Sequence, residues 1–271
     1  MRRKLSLFLV VTFVLGMLLT GCGAQKDDGI FRVGMECGYA PFNWTQLDDS
    51  NGAVPIEGTA EFAGGYDVEI AKKIAEGLGQ KLVIVKTEWG GLSLAVESGK
   101  IDAIIAGMSP TAERKETIDF TDNYYKSTLV MVVKKGGKYE NATSIQDFKG
   151  AKITGQQSTF HYSVIDQIEG VIVEPAMANF GAMRVSLESG TIDGYVSEKP
   201  EGQSAEAANE NFKMIVFKDG FVASEEDTDI AVGIKKGSAL VEKINKILSE
   251  VSQDDRDNLM NEALKNQPIA Q

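Results

Sequence analysis

The residues able to do chemistry in this 271-residue chain gather at the ends of two similar phrases. Residues 97–107 read ESGKIDAIIAG, and residues 188–198 read ESGTIDGYVSE. Each runs Glu-Ser-Gly-x-Ile-Asp into an apolar stretch and then turns small or polar. The first copy ends in Ala106-Gly107-Met108-Ser109, the second in Val196-Ser197-Glu198. Ser109 offers a hydroxyl and Glu198 a carboxylate. Arg114, shortly after the first copy, offers a planar fork of donors that can hold a carboxylate at two points. Each has an ordinary structural alternative. Arg114 among Glu113, Lys115 and Glu116 also fits a solvated helix charge, and Glu198 a charge at a helix start.

Catalytic constellations are missing. The one histidine, His161, has no cysteine or serine in a recognisable nucleophile setting. No HExxH, GxSxG or phosphate-binding loop occurs, and Cys/His spacing of the metal-binding kind is absent. The expectation is a binding protein with no cofactor, no metal and no catalytic residue.

The elements that must position these groups alternate. IFRVGME reads as a strand, YDVEIAKKIAEGLG as a helix stopped by glycine, KLVIVK as a strand, LSLAVESG as a short helix and IDAIIAG as a strand. A second series follows NYYKSTLVMVVKK: SIQDFKG (helix), AKITG (strand), STFHYSVIDQIEG (helix), VIVEPA (strand), FGAMRVSLESG (helix), IDGYVSE (strand). Further strands are predicted at KMIVF and DIAVGIKK, then two helices over about 237–251 and 253–266. The class is α/β, with parallel sheets covered by helices. Gly99 and Gly190 each follow a helix, where a left-handed residue relieves the last carbonyls. In such sheets ligands bind beyond the carboxyl ends of strands. Two lobes, each offering one strand end to a shared cleft, would account for the repeated phrase; so would the helix-glycine-strand junctions that recur in α/β proteins.

The N-terminus sets the compartment. MRRKLS is basic, LFLVVTFVLGMLL is apolar, and small residues follow, the layout of a secretory signal over residues 1–21. The apolar run falls short of the ~20 residues that a membrane span prefers. Leu19-Thr20-Gly21-Cys22 resembles the bacterial lipobox, which makes Cys22 the lipidated first residue and 22–28 a tether. Removing the signal takes away Arg2, Arg3 and Lys4 and no acid, which deepens a formal net charge already at −11. An acidic exported protein is a poor partner for nucleic acid. Cys37 is then the one other cysteine, so no intramolecular disulfide supports the fold.

VGMECGYAPFNW, GYDVEIAKKIA, GKIDAIIAGMSPTAERKETIDFTDNYY, TGQQSTFHYSVI and GTIDGYVSE occur in this order. Together they resemble the polar-amino-acid-binding lipoproteins of ABC importers, solute-binding family 3, over almost the whole mature chain. The resemblance implies a periplasmic-binding-protein clamshell: two α/β lobes joined by two crossing strands. Lobe 1 would take 29–125 and 222–271, lobe 2 would take 128–218, and the hinges would lie near 125–127 and 219–221. It implies a monomer that closes on a free amino acid, is held at the outer face of the membrane by its lipid, and is met there by an ABC permease.

Residue by residue, Arg114 matches the arginine that grips the ligand α-carboxylate, with Ser109 as a hydroxyl donor and Gly107 allowing close backbone approach. Ala106 departs from the family, many of whose members carry a hydroxyl there. Ser158 or Thr159 would cap the next helix, whose free N–H groups attract the same carboxylate. Glu198 matches the acid that receives the α-ammonium, usually an Asp. Tyr39 and Trp89 match aromatics that sandwich the ligand side chain, although both also fit core positions. Glu36 sits where relatives place an acid facing the far end of that side chain. An aromatic sandwich closed by a carboxylate suits a chain ending in a cation, arginine or lysine. Glutamine or cystine is the alternative ligand. Asp67 reads as a strand-to-helix cap, and 45–64 as a polar insertion that either covers the cleft mouth or is a surface loop. A clamshell dehydratase using Glu198 as acid/base is the less favoured reading. A sensory lobe would need a span or signalling domain after 271.

Overall fold

The computed structural model describes residues 28–268. The predicted signal, Cys22 and nearly all of the 22–28 tether lie outside the described residues. Among the described residues, no helix is long and apolar enough to cross a membrane.

Two five-stranded sheets follow one plan. The first orders its strands Lys81–Lys86, Ile30–Met35, Ala103–Ile104, Asp229–Lys235 and Ile118–Lys126. Its first three strands are parallel, and Asp229–Lys235 runs antiparallel between Ala103–Ile104 and Ile118–Lys126. The second orders Ile172–Val173, Lys152–Thr154, Gly194–Glu198, Leu129–Lys134 and Phe212–Ile215, again three parallel and then antiparallel. The repeated phrases therefore occupy equivalent central strands, Ala103–Ile104 and Gly194–Glu198. Gly99 and Gly190 before them both adopt φ of 76°, a conformation that costs glycine little.

Helix Tyr66–Leu78 shows why the apolar spacing matters. Its Val68, Ile70, Ala71, Ile74 and Ala75 are all buried, and the helix ends at Gly79 in a left-handed conformation. The two last helices are Leu240–Ser249 and Gln253–Asn266. A serine at position 252 caps the second through a reciprocal bond pair with Asp255.

Three elements differ from the sequence reading. STFHYSVIDQIEG forms a short helix, Phe160–Ser163, followed by a 3-10 turn, Val164–Gln167. Val164 and Ile165, in the 3-10 turn, are both fully buried. An unpredicted helix, Lys199–Ala208, buries mainly small or polar residues, Gly202, Ser204 and Ala205, so it carried no apolar periodicity. The 45–64 segment is not loose. Asn43–Gln46, Val54–Pro55 and Phe62–Gly64 join Gly38–Tyr39 in a four-stranded antiparallel sheet. Trp44, Ile56 and Ala63 are buried beneath it, and the Glu57 N–H donates to the Ile84 carbonyl at the edge of the first sheet.

The lobes are joined twice. Ile118–Lys126 passes directly into Leu129–Lys134, and the return segment enters Asp229–Lys235. At the crossing, the Ser127 N–H donates to the Thr228 carbonyl. Asp219 and Val222 still bond to lobe 2, through Ile145 and Gln167. We propose that the second hinge therefore lies downstream of 219–221, over residues 223–228.

Gly65, which starts the first helix, carries the sharpest backbone demand. Its φ of 122° and ψ of 176° belong to a region that is essentially glycine-only. A Cβ there would lie 2.4 Å from the Phe42 carbonyl oxygen. At Gly79 the added Cβ meets nothing within 4 Å. Gly65→Ala is expected to cost at least about 2 kcal/mol, and Gly79→Ala about 1 kcal/mol. Thermal unfolding of the two variants checks the order; equal losses would reject it.

Candidate functional site

Strand ends from both lobes meet in one small enclosed cleft. Seven of the predicted residues line it: Tyr39, Trp89, Gly107, Ser109, Arg114, Thr159 and Glu198. The other two adjoin it, Glu36 through Gln156 and Ser158 through Arg114. A larger cavity, of about 1010 Å³, lies elsewhere on lobe 1. Its cations already have acids, Lys115 with Glu226 and Lys236 with Asp119. The functional reading therefore rests on the interlobe cleft.

Arg114 projects from helix Ala112–Thr117, which Thr111 caps. Its Nη1 donates to the Ser109 carbonyl at 2.8 Å and its Nη2 to the Ser158 carbonyl, on lobe 2, at 3.0 Å. The guanidinium also lies 5.0 Å from the centre of the Trp89 ring, a cation–π contact. No carboxylate forms an ion pair with it among the described residues. Burial lowers its pKa to about 10, against the opposing pull of Glu113 and then Glu198.

Glu198 ends the strand Gly194–Glu198 and is 1 % exposed. Its Oε1 lies 3.2 Å from His161 Nε2, while its Oε2 has no hydrogen-bond partner. Tyr39 stacks on Phe42 at 5.0 Å and on Phe180 of lobe 2 at 4.5 Å. Its hydroxyl is buried without a partner, and burial, then the charge of Glu198, hold the phenol protonated. Gly107 has φ of 61°, and a Cβ there would lie 2.6 Å from the Tyr39 ring.

Several side chains are placed differently from expectation. The Ser109 hydroxyl donates to the Asp227 carbonyl at 2.9 Å. Thr159 holds the N-cap position of Phe160–Ser163, but neither it nor Ser158 caps the helix by its side chain. Its hydroxyl donates back to the Gln156 carbonyl at 2.7 Å, and Ser158 sits at φ of 55°. Tyr39 and Trp89 do not face each other as an open sandwich: Tyr39 stacks on phenylalanines and Trp89 on Arg114.

Asp67 corrects the sequence reading outright. Gly65, not Asp67, is at the helix N-cap, and no side chain caps it. Asp67 is fully buried and accepts from Asn43 Nδ2 at 2.8 Å and from the Tyr124 hydroxyl at 2.7 Å. Burial pushes its pKa up to about 7 against these two bonds.

Three further residues line the cleft, Gln156, Phe160 and His161, and Phe180 adjoins it through Tyr39. Gln156 Nε2 donates to Glu36 at 3.1 Å and to the Ala178 carbonyl at 3.1 Å. It follows the strand Lys152–Thr154, so the strand-end argument applied to that strand points to it. His161 is the one histidine of the sequence, with no nucleophile partner there to mark it as a site residue. Phe180 carried no signal beyond helical periodicity.

Against this geometry, the model of the bacterial extracellular solute-binding proteins, family 3, matches residues 31–264. The chain belongs to this family. It is 26% identical over 263 residues to the arginine-binding extracellular protein ArtP of Bacillus subtilis (strain 168), covering 93% of this chain and 94% of ArtP. It is 27% identical to the L-cystine-binding protein TcyA of the same organism, with 92% of each chain covered. Among solved structures, the substrate-binding protein AbpA of Streptococcus pneumoniae bound to L-arginine aligns with a TM-score of 0.76 and 25% identity, covering 90% of this chain and 98% of AbpA. An ancestral arginine-binding protein bound to glutamine aligns at 0.70 and 29%, covering 86% and 97%. The family 3 fold is thus the two-lobed one described above, and its members bind solutes rather than transform them.

Glu36 gives this family 3 site a testable pH signature. Burial raises its pKa to about 7, with the Gln156 bond opposing, from an ordinary value of 4.5. A carboxyl raised on folding adds stability below its unfolded pKa and loses it as pH rises through the folded one. Between about pH 4.5 and 7, Glu36 therefore destabilises the ligand-free protein increasingly, by roughly 3 kcal/mol in all. Asp67 acts in the same direction over a similar range. Glu36→Gln should flatten, but not abolish, the fall in melting temperature from pH 5 to pH 8. An unchanged slope would rule out a buried, raised Glu36.

Proposed function

We propose that the protein is the extracytoplasmic capture component of an ABC importer, anchored through Cys22 and acting as a monomer, and that it binds a free basic amino acid. The observation that carries this reading is Arg114: a half-buried guanidinium held by two carbonyls and an aromatic ring, without a carboxylate of its own. A buried cation lacking a counter-ion is costly, and a ligand carboxylate supplies one. Glu198, in the same cleft with a free Oε2, answers with a place for the α-ammonium. A zwitterion fits that pair.

Selectivity rests on Glu36. Its carboxylate adjoins the cleft and suits a distal cation, in keeping with the arginine-binding relatives. The second reading is glutamine, favoured by one contact: the Gln156 carboxamide already donates to Glu36, so this acid accepts an amide donor. The geometry also supports closure on the ligand, since Arg114, Gln156 and Phe180 all make contacts from one lobe to the other. The closed shape is what a permease would recognise.

Calorimetry with L-arginine, L-lysine and L-glutamine separates the readings; glutamine binding tighter than both basic amino acids would reject the cation assignment. Arg114→Lys should weaken every amino acid alike, raising Kd roughly ten- to a hundredfold, because one charge-assisted bond contributes about 1.5–3 kcal/mol. A ligand with an amidated carboxylate should be far less sensitive, and equal losses for both would place Arg114 away from the carboxylate. Affinity for arginine should also fall as pH drops below about 7, because Glu36 must be ionised to meet the cation. Glutamine affinity should change less over the same interval.

A further inference from the structure

We propose that His161 is a positioning residue for amino-group recognition: its imidazole holds the Glu198 carboxylate so that one oxygen alone, Oε2, is left for the ligand ammonium. The inference rests on the reading that Glu198 receives that ammonium.

The two side chains come from different elements of lobe 2, His161 from helix Phe160–Ser163 and Glu198 from the end of strand Gly194–Glu198. Both are buried, 8 % and 1 % exposed. The Nε2–Oε1 contact of 3.2 Å holds one carboxylate oxygen, while Oε2 and the buried Tyr39 hydroxyl, which feels the Glu198 carboxylate, both lack a hydrogen bond within 3.5 Å among the described residues. The cation in the same cleft, Arg114, feels the Glu198 charge but forms no ion pair with it among the described residues. Arg184 is engaged by Glu201, which also accepts from Tyr195 and Ser197.

The imidazole is itself held. Its ring meets Phe180 edge to face at 6.3 Å, and Phe180 stacks on Tyr39 across the cleft. Beneath it, Gly155 lets the strand end approach the helix backbone; a Cβ there would lie 3.1 Å from the His161 carbonyl carbon. In the tautomer that carries the proton on Nε2, the imidazole donates to Oε1 and so orients the carboxylate. A carboxylate that is free to turn would lose that freedom on binding; one already pinned does not. Glu198 carries one methylene more than aspartate, so the restraint acts on an additional rotor.

The test compares an amino acid with its deaminated analogue. The probes are L-arginine and 5-guanidinopentanoic acid, or L-glutamine and its deaminated analogue if glutamine binds more tightly. His161→Leu should raise Kd for the amino acid about tenfold, the equivalent of one hydrogen bond to a charged group. Kd for the deaminated acid should stay within about twofold. His161→Gln, which restores an N–H donor, should recover at least half of the loss on a logarithmic scale. Equal losses for both ligands, or His161→Gln behaving like His161→Leu, would overturn the proposal. If His161→Leu does not fold, His161→Gln against the shorter His161→Asn gives the same comparison. Glu198→Gln is the control. If it too fails to distinguish the two ligands, the ammonium assignment falls; if it distinguishes them and His161 does not, only the positioning role falls.

Discussion

Asp67 sits in the first turn of helix Tyr66–Leu78 and accepts hydrogen bonds from Asn43 and Tyr124. The Tyr124 hydroxyl in turn accepts the Gly107 N–H at 3.2 Å, and Asn43 Oδ1 accepts the Cys37 N–H at 2.7 Å. One buried carboxyl thus ties together the strand end that leads to Ser109, the turn that carries Glu36 and Tyr39, and the strand that crosses to lobe 2. Every donor in this cluster has an acceptor, which is the condition for a buried polar network to hold a structure rather than weaken it.

The cleft itself is built from charges that the protein leaves incompletely matched. Arg114 has carbonyl partners, Glu198 has a histidine on one oxygen, and Glu36 has an amide. None of the three forms an ion pair with another. A charge withdrawn from water without an opposite charge is costly, and Glu36 and Glu198 are buried while Arg114 is half-buried. The same contacts couple recognition to shape. Arg114 reaches Ser158, Gln156 reaches Glu36 and Tyr39 stacks on Phe180, so groups at the cleft are also groups that join the lobes.

Much of this was legible in the sequence. The strands and helices around the two repeated phrases follow from their apolar spacing, and the glycines at 99 and 190 mark the turns. The strand-end rule led to Gly107, Ser109 and Glu198, which the structure brings into one cleft with Arg114. The elements that were not legible have physical reasons. Helix Lys199–Ala208 packs through small residues, Gly202 lying so close to Met214 that a Cβ would come within 2.7 Å, and small residues leave no hydrophobic period. The sheet around 43–64 is made of strands of two to four residues, too short for an alternation to be read.

The chain by itself determined what is local. Side-chain periodicity sets helix against strand, a glycine after the last turn stops a helix, and the end of a parallel strand exposes whatever residues come next. Tertiary structure alone decided partnership. Gln156 and Glu36 are 120 positions apart, and His161 and Glu198 are 37 apart. Whether Asp67 caps its helix or anchors a buried network depends on where Tyr124 lies, 57 positions away. A hydrogen bond acts over about 3 Å, so the residue type can announce that a partner is needed, but only the packing of distant segments brings that partner within reach.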